Sequence, residues 1–260
     1  MGIFKPKEDL YTTIIEDEIE RKLIKKEDWE KFNSNVLGIG DLSNESVSKS
    51  VICAFFDLEG FTKFCTQIDP DLVIPVFLKK YLDWFFSHIQ KTSVKSENPE
   101  GVLLWYELPF FIKFMGDGIL LLWDISNMNI QAQGNIVISS LYITQNYVND
   151  FFVKIKEIVT EPPKILRCGI TKGKVYSVGN GEDFVGPCMN FASRLQKLPG
   201  ITFAFSNRGL NLDKFKEQWK EFFIIKCVEA RGIGENELIY IIKEEYDKLS
   251  PEYKKFYKEI

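Results

Sequence analysis

The sequence predicts a mixed α/β (α+β) fold with a ferredoxin-like βαββαβ core and a short N-terminal helical extension. From Val51 to Ile242, short apolar runs alternate with stretches of helical periodicity. A Gly-Asp-Gly turn joins two of these runs as an antiparallel hairpin. Hairpins combined with crossover helices form a sandwich, which we expect to carry its helices on one face of the sheet. Three parts follow: an extension and linker over 1–50, a main domain over 51–243 and a helical tail over 244–260.

The composition indicates an ordinary globular protein. The chain has 260 residues, 45% of them hydrophobic, which is enough for one substantial core. Its 33 basic and 37 acidic residues are interspersed and give a formal net charge of −4, which argues against a nucleic-acid or membrane surface. The N-terminus lacks a signal-peptide run, and no stretch of about 18 uncharged apolar residues occurs. We therefore expect a cytoplasmic protein without a transmembrane span.

The residues available to bind a metal ion are mainly carboxylates. The five cysteines are an odd number without a C-x-x-C pair, so we expect neither disulfides nor a zinc site. The single histidine, His88, lies in a stretch of helical periodicity and is interpreted as structural. Carboxylate oxygens favour magnesium or manganese.

The first elements follow from local patterns. Residues 7–36 repeat apolar side chains near the helical period, which predicts one or two amphipathic helices. Residues 38–50 are polar and rich in glycine and serine, as in a linker. The run Val51–Phe56 is typical of a buried strand, and it ends at Asp57.

Further elements alternate along the main domain. Helical periodicity over Thr62–Thr92 is interrupted at Pro70, which can begin a second helix, and residues 93–101 are predicted to form a loop. Residues 129–159 contain no proline and predict one long helix. The other predicted elements are a helix at Gly186–Leu198 and strands at Phe110–Met115, Ile119–Trp123, Ile165–Thr171, Val175–Val178, Ile201–Phe205, Phe222–Val228 and Leu238–Ile242.

The first motif with chemical potential is Phe55-Phe56-Asp57-Leu58-Glu59-Gly60-Phe61-Thr62. A carboxylate at a strand end, followed by a glycine loop and a helix start, places a metal ligand beside backbone N–H groups that suit a polyphosphate. Asp57 could instead cap the following helix. Whichever role Asp57 has, a phenylalanine at the position of Phe61 is most often a core residue.

The second motif places Asp117 between two glycines in the predicted hairpin turn. Asp-Gly turns are common for conformational reasons alone. If the strands of Asp57 and Asp117 are neighbours, however, the two carboxylates meet at one sheet edge and repel unless cations bind. Two-metal phosphoryl chemistry uses such a pair.

The third motif runs from Asp183 to Arg194. On a helix, Asn190 and Arg194 are four residues apart and project from the same face. A guanidinium suits the charge that grows on phosphoryl oxygens in a transition state, although an isolated pair of this kind is usually a solvated helix face.

Together the three motifs resemble the catalytic domains of class III adenylate and guanylate cyclases. The patterns are F-x-D-x-x-G-F-T from Phe55, K-x-x-G-D from Lys113 and D-x-x-G-x-x-x-N-x-A-S-R from Asp183, over roughly residues 51–243. The resemblance implies an enzyme that closes a nucleoside triphosphate into a cyclic 3′,5′-monophosphate and releases pyrophosphate. It also implies two divalent metal ions, Mn²⁺ or Mg²⁺, in each site.

The resemblance also assigns roles to individual residues. Asp57, Asp117 and the backbone carbonyl of Leu58 would bind the metal ions. Asn190 would orient the ribose, and Arg194 would stabilise the transition state. The other nucleotide-binding positions are Lys113 and Asp183 at the base, Arg231 at the terminal phosphates, where the family has a lysine, and Phe55, Gly60, Phe61 and Thr62.

In this family two catalytic domains share each site, so the resemblance implies a homodimer with two sites. Each site would take its metal carboxylates from one chain and the residues equivalent to Asn190 from the other. The receptor of the cyclic nucleotide would be a separate molecule, whose identity this sequence does not carry.

The base is predicted from two opposing signals. The run from Val178 to Leu198 is similar to the Pycsar pyrimidine cyclases, bacterial antiphage enzymes that make cyclic CMP or cyclic UMP, and we place cytidine first. Lys113 and Asp183 favour adenine, so adenylate cyclase is the alternative. An inactive nucleotide-binding regulatory module is a further alternative, although all four of Asp57, Asp117, Asn190 and Arg194 are present. The diguanylate cyclase signature is absent around Asp117.

Overall fold

The structure is a computed structural model that describes residues 11–16, 19–26, 45–179 and 181–260. These residues separate into two compact units. One unit contains the described residues up to Lys49 together with Val175–Val185, and the other contains Ser50–Lys174 together with Gly186–Ile260. Among the described residues, no helix has both the length and the apolar character needed to cross a membrane.

The described residues form strands, often in consecutive pairs or longer runs, with helices between these groups. The strands are β1 (Tyr11–Glu16), β2 (Ile19–Ile24), β3 (Ser48–Glu59), β4 (Val94–Asn98), β5 (Gly101–Leu104), β6 (Phe111–Met115), β7 (Gly118–Asp124), β8 (Ile165–Val178), β9 (Asp183–Val185), β10 (Phe203–Ser206), β11 (Phe223–Ala230) and β12 (Gly234–Ile242). The α-helices are α1 (Phe61–Phe64), α2 (Pro70–Ser93), α3 (Ile130–Asn146), α4 (Val153–Ile155), α5 (Pro187–Leu195), α6 (Glu217–Lys220), α7 (Lys243–Lys248) and α8 (Pro251–Lys254).

The central sheet has the strand order β11-β12-β10-β8-β3-β7-β6, and β9 pairs with the end of β8. Its pairings are antiparallel between β3 and β7, β6 and β7, β10 and β12, and β11 and β12, whereas β8 and β10 are parallel. This mixed, mainly antiparallel sheet with crossover helices confirms the predicted α+β fold class.

The main core lies between the sheet and helices α2 and α3. Side chains alternate across β3, so that Ile52, Ala54 and Phe56 enter this core, where Phe56 meets Phe85 of α2 edge to face at 5.0 Å. Asp57, the next residue, therefore projects from the opposite face of the sheet.

The expectation that helices cover only one face is wrong, because α5 and the C-terminal segment pack on the other. Strands β10, β11 and β12 are apolar on both sides, so each face must be removed from water. The second core contains Phe191, Leu195, Ala204, Val228, Ile239, Ile241, Leu249 and Tyr257. Gly169 of β8 allows close approach, since a Cβ there would lie 2.2 Å from the carbonyl oxygen of Ala192 in α5.

The N-terminal prediction of helices is wrong where the structure describes it. Residues Tyr11–Glu16 and Ile19–Ile24 form an antiparallel hairpin, and the rest of 7–36 lies outside the described residues apart from 25 and 26. The pairs Thr12-Thr13 and Ile14-Ile15 explain the difference, because β-branched side chains lose rotamer freedom in a helix and fit a strand.

Three predictions inside the main domain also need correction. Residues 93–101 contain strand β4 and the start of β5 instead of a loop, and their turn is held by Asn98 Oδ1, which accepts from the amides of Glu100 and Gly101 at 2.9 and 3.0 Å. Strand β8 is continuous through Lys172-Gly173, and the three-residue strand β9 is absent from the predicted elements. The predicted helix over 129–159 is helical from Ile130 to Ile155, with a π-helical segment at Tyr147–Phe152.

Candidate active site

Asp57 is a buried carboxylate on the face of the sheet opposite α2 and α3. Its side chain is 8% exposed, and its Oδ2 accepts a hydrogen bond from Nη2 of Arg167 at 2.8 Å. The alternative that Asp57 caps the next helix is not supported, because the cap position of α1 is Gly60 and no side chain caps it. The adjacent Leu58 has a fully buried side chain, which leaves its backbone as the part able to bind a ligand.

Asp117 lies in the two-residue turn between β6 and β7, as the sequence predicts. Gly116 has a φ of +72°, which glycine adopts without strain. Asp57 pairs directly with Gly118 across β3 and β7, so Asp117 is one residue from the partner of Asp57. The pKa of the buried Tyr81 phenol is raised, chiefly by burial. The Tyr147 phenol and Asp57 add to the shift, and Cys168 and Asp117 have smaller effects.

Arg167 is the site residue that the sequence analysis missed. It stands in the apolar run Ile165–Ile170, two residues before Gly169, so both residues face the same side of the sheet. Gly169 faces α5, and this is the side from which Asp57 projects. The Arg167 side chain is 20% exposed, and its Nε is buried without a hydrogen-bond partner among the described residues. The sequence does contain a signal for this residue, because an arginine within an otherwise apolar strand is rarely buried without a partner of opposite charge.

The glycine loop after β3 is built mainly for packing. Gly60 has a φ of +81° and begins α1. Phe61 is partly buried and packs beside the main core against Phe64 and Phe77, with ring centroids 5.7 and 6.1 Å apart. Its nucleotide-binding role stays a prediction. Thr62 is exposed.

Phe55 and Lys113 lie on the same face of the sheet as Asp57. Phe55 is buried, and its ring occupies the space beside Gly118, where a Cβ would come within 2.4 Å of its Cε1. Lys113 of β6 pairs with Leu120, which is itself the partner of Phe55. Lys113 is half-buried.

Asp183 belongs to the other compact unit, in the hairpin of β9 with the end of β8. Its Oδ1 accepts a hydrogen bond from the backbone amide of Phe184 at 2.8 Å. Asp183 is half-buried and Phe184 is buried.

Helix α5 presents Asn190 and Arg194 to solvent from one face, as predicted. Phe191 and Leu195 on its other face enter the second core, which fixes the rotation of the helix about its axis. Arg194 lines a cleft of about 320 Å³ together with Arg231 from the turn between β11 and β12. The structure thus brings two predicted phosphate-binding residues to one place.

The predicted site residues therefore form two groups in this chain. Asp57 and Asp117 lie where the end of β3 meets the start of β7. Neither of them lines the cleft that contains Arg194 and Arg231. Within the described residues, no three histidine, cysteine or acidic side chains cluster as a metal site. The carboxylates and the Leu58 backbone supply only oxygen donors, which fit Mg²⁺ or Mn²⁺ if substrate oxygens complete the shell.

No protein-family model matches the sequence, and no curated protein matches it. Solved structures do match the fold. The adenylyl cyclase CyaB from P. aeruginosa is similar with a TM-score of 0.56 at 16% identity, over 80% of this chain and 100% of that one. The guanylyl cyclase Cya2 has a TM-score of 0.56 at 17% identity, over 76% and 94%. The guanylate cyclase domain of RhGC from Catenaria anguillulae, solved in complex with GTP, has a TM-score of 0.51 at 18% identity, over 76% and 98%. The chain thus has the fold of adenylyl and guanylyl cyclase domains.

Proposed function

We propose that this protein is a nucleotidyl cyclase, which converts a nucleoside triphosphate into a cyclic 3′,5′-monophosphate and pyrophosphate. The register that brings Asp117 next to the pairing partner of Asp57 carries the proposal. Two carboxylates this close repel one another unless positive charge lies between them. The fold shared with adenylyl and guanylyl cyclase domains supports the same conclusion.

Asp57, Asp117 and the Leu58 carbonyl would hold two divalent ions, Mn²⁺ or Mg²⁺. When bound, such ions help to ionise the attacking 3′-hydroxyl and neutralise phosphate charge. Arg167 forms an ion pair with Asp57 in this structure. Its buried Nε has no hydrogen-bond partner among the described residues. Its guanidinium can therefore hold Asp57 in place.

The chain's remaining residues would bind and orient the nucleotide. Asn190 would hold the ribose, Arg194 would stabilise the charge that grows on the phosphoryl oxygens, and Arg231 would bind the terminal phosphates. The cleft of Arg194 and Arg231 contains neither carboxylate, so we propose that the two halves meet across a homodimer with two shared sites. The protein would act in the cytoplasm.

The favoured substrate is a pyrimidine nucleotide, with CTP ahead of UTP, and the product would serve as an antiphage signal. Lys113 donates hydrogen bonds and an ionised Asp183 accepts them. Cytosine offers both an acceptor and an amino donor, whereas uracil lacks the amino group. The buried ring of Phe55 at the Gly118 edge is a means of excluding a purine.

Adenylate cyclase is the second candidate, because Lys113 and Asp183 also match the acceptor and the amino group of adenine. An inactive nucleotide-binding module is the candidate from another class. The test is incubation of the purified protein with each ribonucleoside triphosphate and manganese, with the product identified by mass. A cyclic product that disappears in Asp57→Ala supports the cyclase. Absence of any cyclic product alongside measurable nucleotide binding supports the regulatory module.

A further inference from the structure

The cleft that Arg194 and Arg231 share also contains basic side chains from outside the three motifs. Its lining has five basic residues and one acidic residue, Glu229. The five basic residues are Arg194, Lys197, Arg231, Lys255 and Lys258. Two of them, Lys255 and Lys258, come from the segment that follows the last strand of the sheet. The excess of positive charge makes this cleft suitable for a polyvalent anion.

The segment that carries these two lysines is fixed in place. Tyr257 is buried in the second core, and its hydroxyl donates to the carbonyl of Pro199 at 2.6 Å. The backbone of Lys258 pairs with Cys227 of β11 through two hydrogen bonds of 3.0 and 2.8 Å. Lys255 and Lys258 are therefore held at the wall of the cleft by groups on either side of them.

Among the described residues, the lysines in the cleft differ from their neighbours in forming no ion pair. Elsewhere on the same segment, Lys248 pairs with Glu244, and Lys254 donates to the carbonyl of Asp247 at 3.1 Å. Glu259 pairs with Lys226. Within the part of the chain that the structure describes, none of the five basic side chains of the cleft forms an ion pair. Like charges gathered in this way repel each other, and a bound anion would relieve the repulsion.

We propose that Lys255 and Lys258 are positioning residues for the polyphosphate of the nucleotide. They extend the anion site of Arg194 and Arg231 to the phosphates furthest from the sugar and to the pyrophosphate that leaves. As the proposed cyclase activity requires a triphosphate, this assignment rests on the proposed function for its substrate. The chemistry it recognises is a chain of phosphates, whatever the base.

The test uses the full chain and inorganic tripolyphosphate, without nucleotide, in a calorimetric titration. Lys255→Ala/Lys258→Ala should bind tripolyphosphate about 30- to 100-fold more weakly than the parent, since a charged hydrogen bond is commonly worth about tenfold or more. Lys255→Arg/Lys258→Arg should restore most of the affinity. The matched control is Lys248→Ala/Lys254→Ala, which also removes two positive charges from the same segment, but outside the cleft, and should bind like the parent.

A second variant separates binding from folding. Lys255→Gln/Lys258→Gln removes the charge but keeps the Cβ and Cγ methylenes of each side chain, and its unfolding temperature shows whether the segment is still docked. A folded Gln variant with parental tripolyphosphate affinity would overturn the assignment, as would a parent that binds no tripolyphosphate. If the parent forms no cyclic nucleotide while the affinities follow the expected order, the proposed function fails and the assignment of Lys255 and Lys258 stands. If the parent forms a cyclic nucleotide and the double variants keep the parental KM and tripolyphosphate affinity, the proposed function stands and the assignment of Lys255 and Lys258 fails.

Discussion

Arg167 donates from Nη2 to Oδ2 of Asp57 at 2.8 Å, and the two side chains are 20% and 8% exposed. The pair lies on the sheet face that α5 covers elsewhere, away from the main core. Because both charges are largely removed from water, neither can lose the other without cost.

Changes at either end of this pair should cost stability, and the change at Asp57 should also abolish catalysis. Asp57→Asn removes the charge that a metal needs and should abolish cyclisation, while Arg167→Met, which leaves Asp57 buried without a cation, should destabilise the fold by about 3–5 kcal/mol. Product formation with saturating manganese and urea unfolding measure the two effects. Asp213→Asn, on the exposed turn before α6, is the control for loss of one carboxylate. Substantial product from Asp57→Asn would contradict the metal assignment.

Mixing two inactive variants should recover activity if the site is shared. Asp57→Ala and Arg194→Ala each damage a different half, so a mixed dimer holds one intact site. Random exchange of subunits should restore about a quarter of the parental rate, because half of the dimers are mixed and each has one of two sites. The measurement is product formation after subunit exchange has been demonstrated by labelled chains. No recovery in an exchanging mixture would exclude the shared site.

The base preference should follow the hydrogen-bond pattern of Lys113 and Asp183. In a competition of CTP, UTP and ATP at equal concentrations, cyclic CMP should exceed cyclic UMP, since facing Asp183 with a carbonyl costs about 1–3 kcal/mol. Asp183→Asn should narrow this difference, because an amide can donate to the uracil carbonyl. Mass spectrometry of the products measures the ratios. Predominant cyclic AMP would favour the adenylate cyclase alternative, and predominant cyclic UMP would refute the hydrogen-bond argument.

Glu245 should make stability fall as pH rises, which is opposite to the effect of a carboxylate whose pKa is lowered by folding. Burial raises the pKa of its carboxyl above 4.5, although its Oε2 accepts from the Thr202 amide at 2.9 Å and Oε1 from the Thr202 hydroxyl. With a raised folded pKa, its contribution to stability is full below pH 4.5 and is lost as pH rises through the folded value. Glu245→Gln should therefore gain stability relative to the parent between pH 4 and pH 7, as measured by denaturant unfolding at each pH. A difference that does not change with pH would show that burial does not control this group.

The phenol of Tyr81 should be dispensable for folding. Its oxygen is buried and has no hydrogen-bond partner among the described residues, while its ring packs against Phe77, Phe85 and Phe151. Tyr81→Phe removes the unsatisfied group and keeps the ring, so stability should be unchanged or rise by up to about 1–2 kcal/mol. Tyr147→Phe is the matched control, because its hydroxyl donates to the Pro163 carbonyl at 2.7 Å and its loss should destabilise. Thermal unfolding of both variants gives the comparison.

Sequence reasoning was most successful where a local pattern has one physical solution. The Gly116-Asp117-Gly118 turn and the start of α2 at Pro70 are found as predicted, because backbone preference alone determines them. It failed where tertiary contacts decide. Three features depend on which strand or helix lies alongside, and a short stretch of sequence does not determine that. They are the N-terminal hairpin, the second helical layer and the pairing of β9.

The site shows the same division. Asp57 and Asp117 were predicted as neighbours from an assumed strand order, and the register of β3 with β7 places them so. Arg167 was missed because its partner is 110 residues earlier in the chain. Lys255 and Lys258 at the wall of the Arg194 cleft were missed because they lie in a C-terminal segment that carries no motif.

The contact between Gly169 and α5 has a consequence for how far the sequence can change. The distance from β8 to the helix of Asn190 and Arg194 is determined by a bare backbone against the Ala192 carbonyl, with no side chain between them. Apolar residues elsewhere in that layer can be exchanged in compensating pairs while the helix keeps its height above the sheet. A main-chain spacer of this kind lets the fold keep its outline while most of the surrounding side chains change.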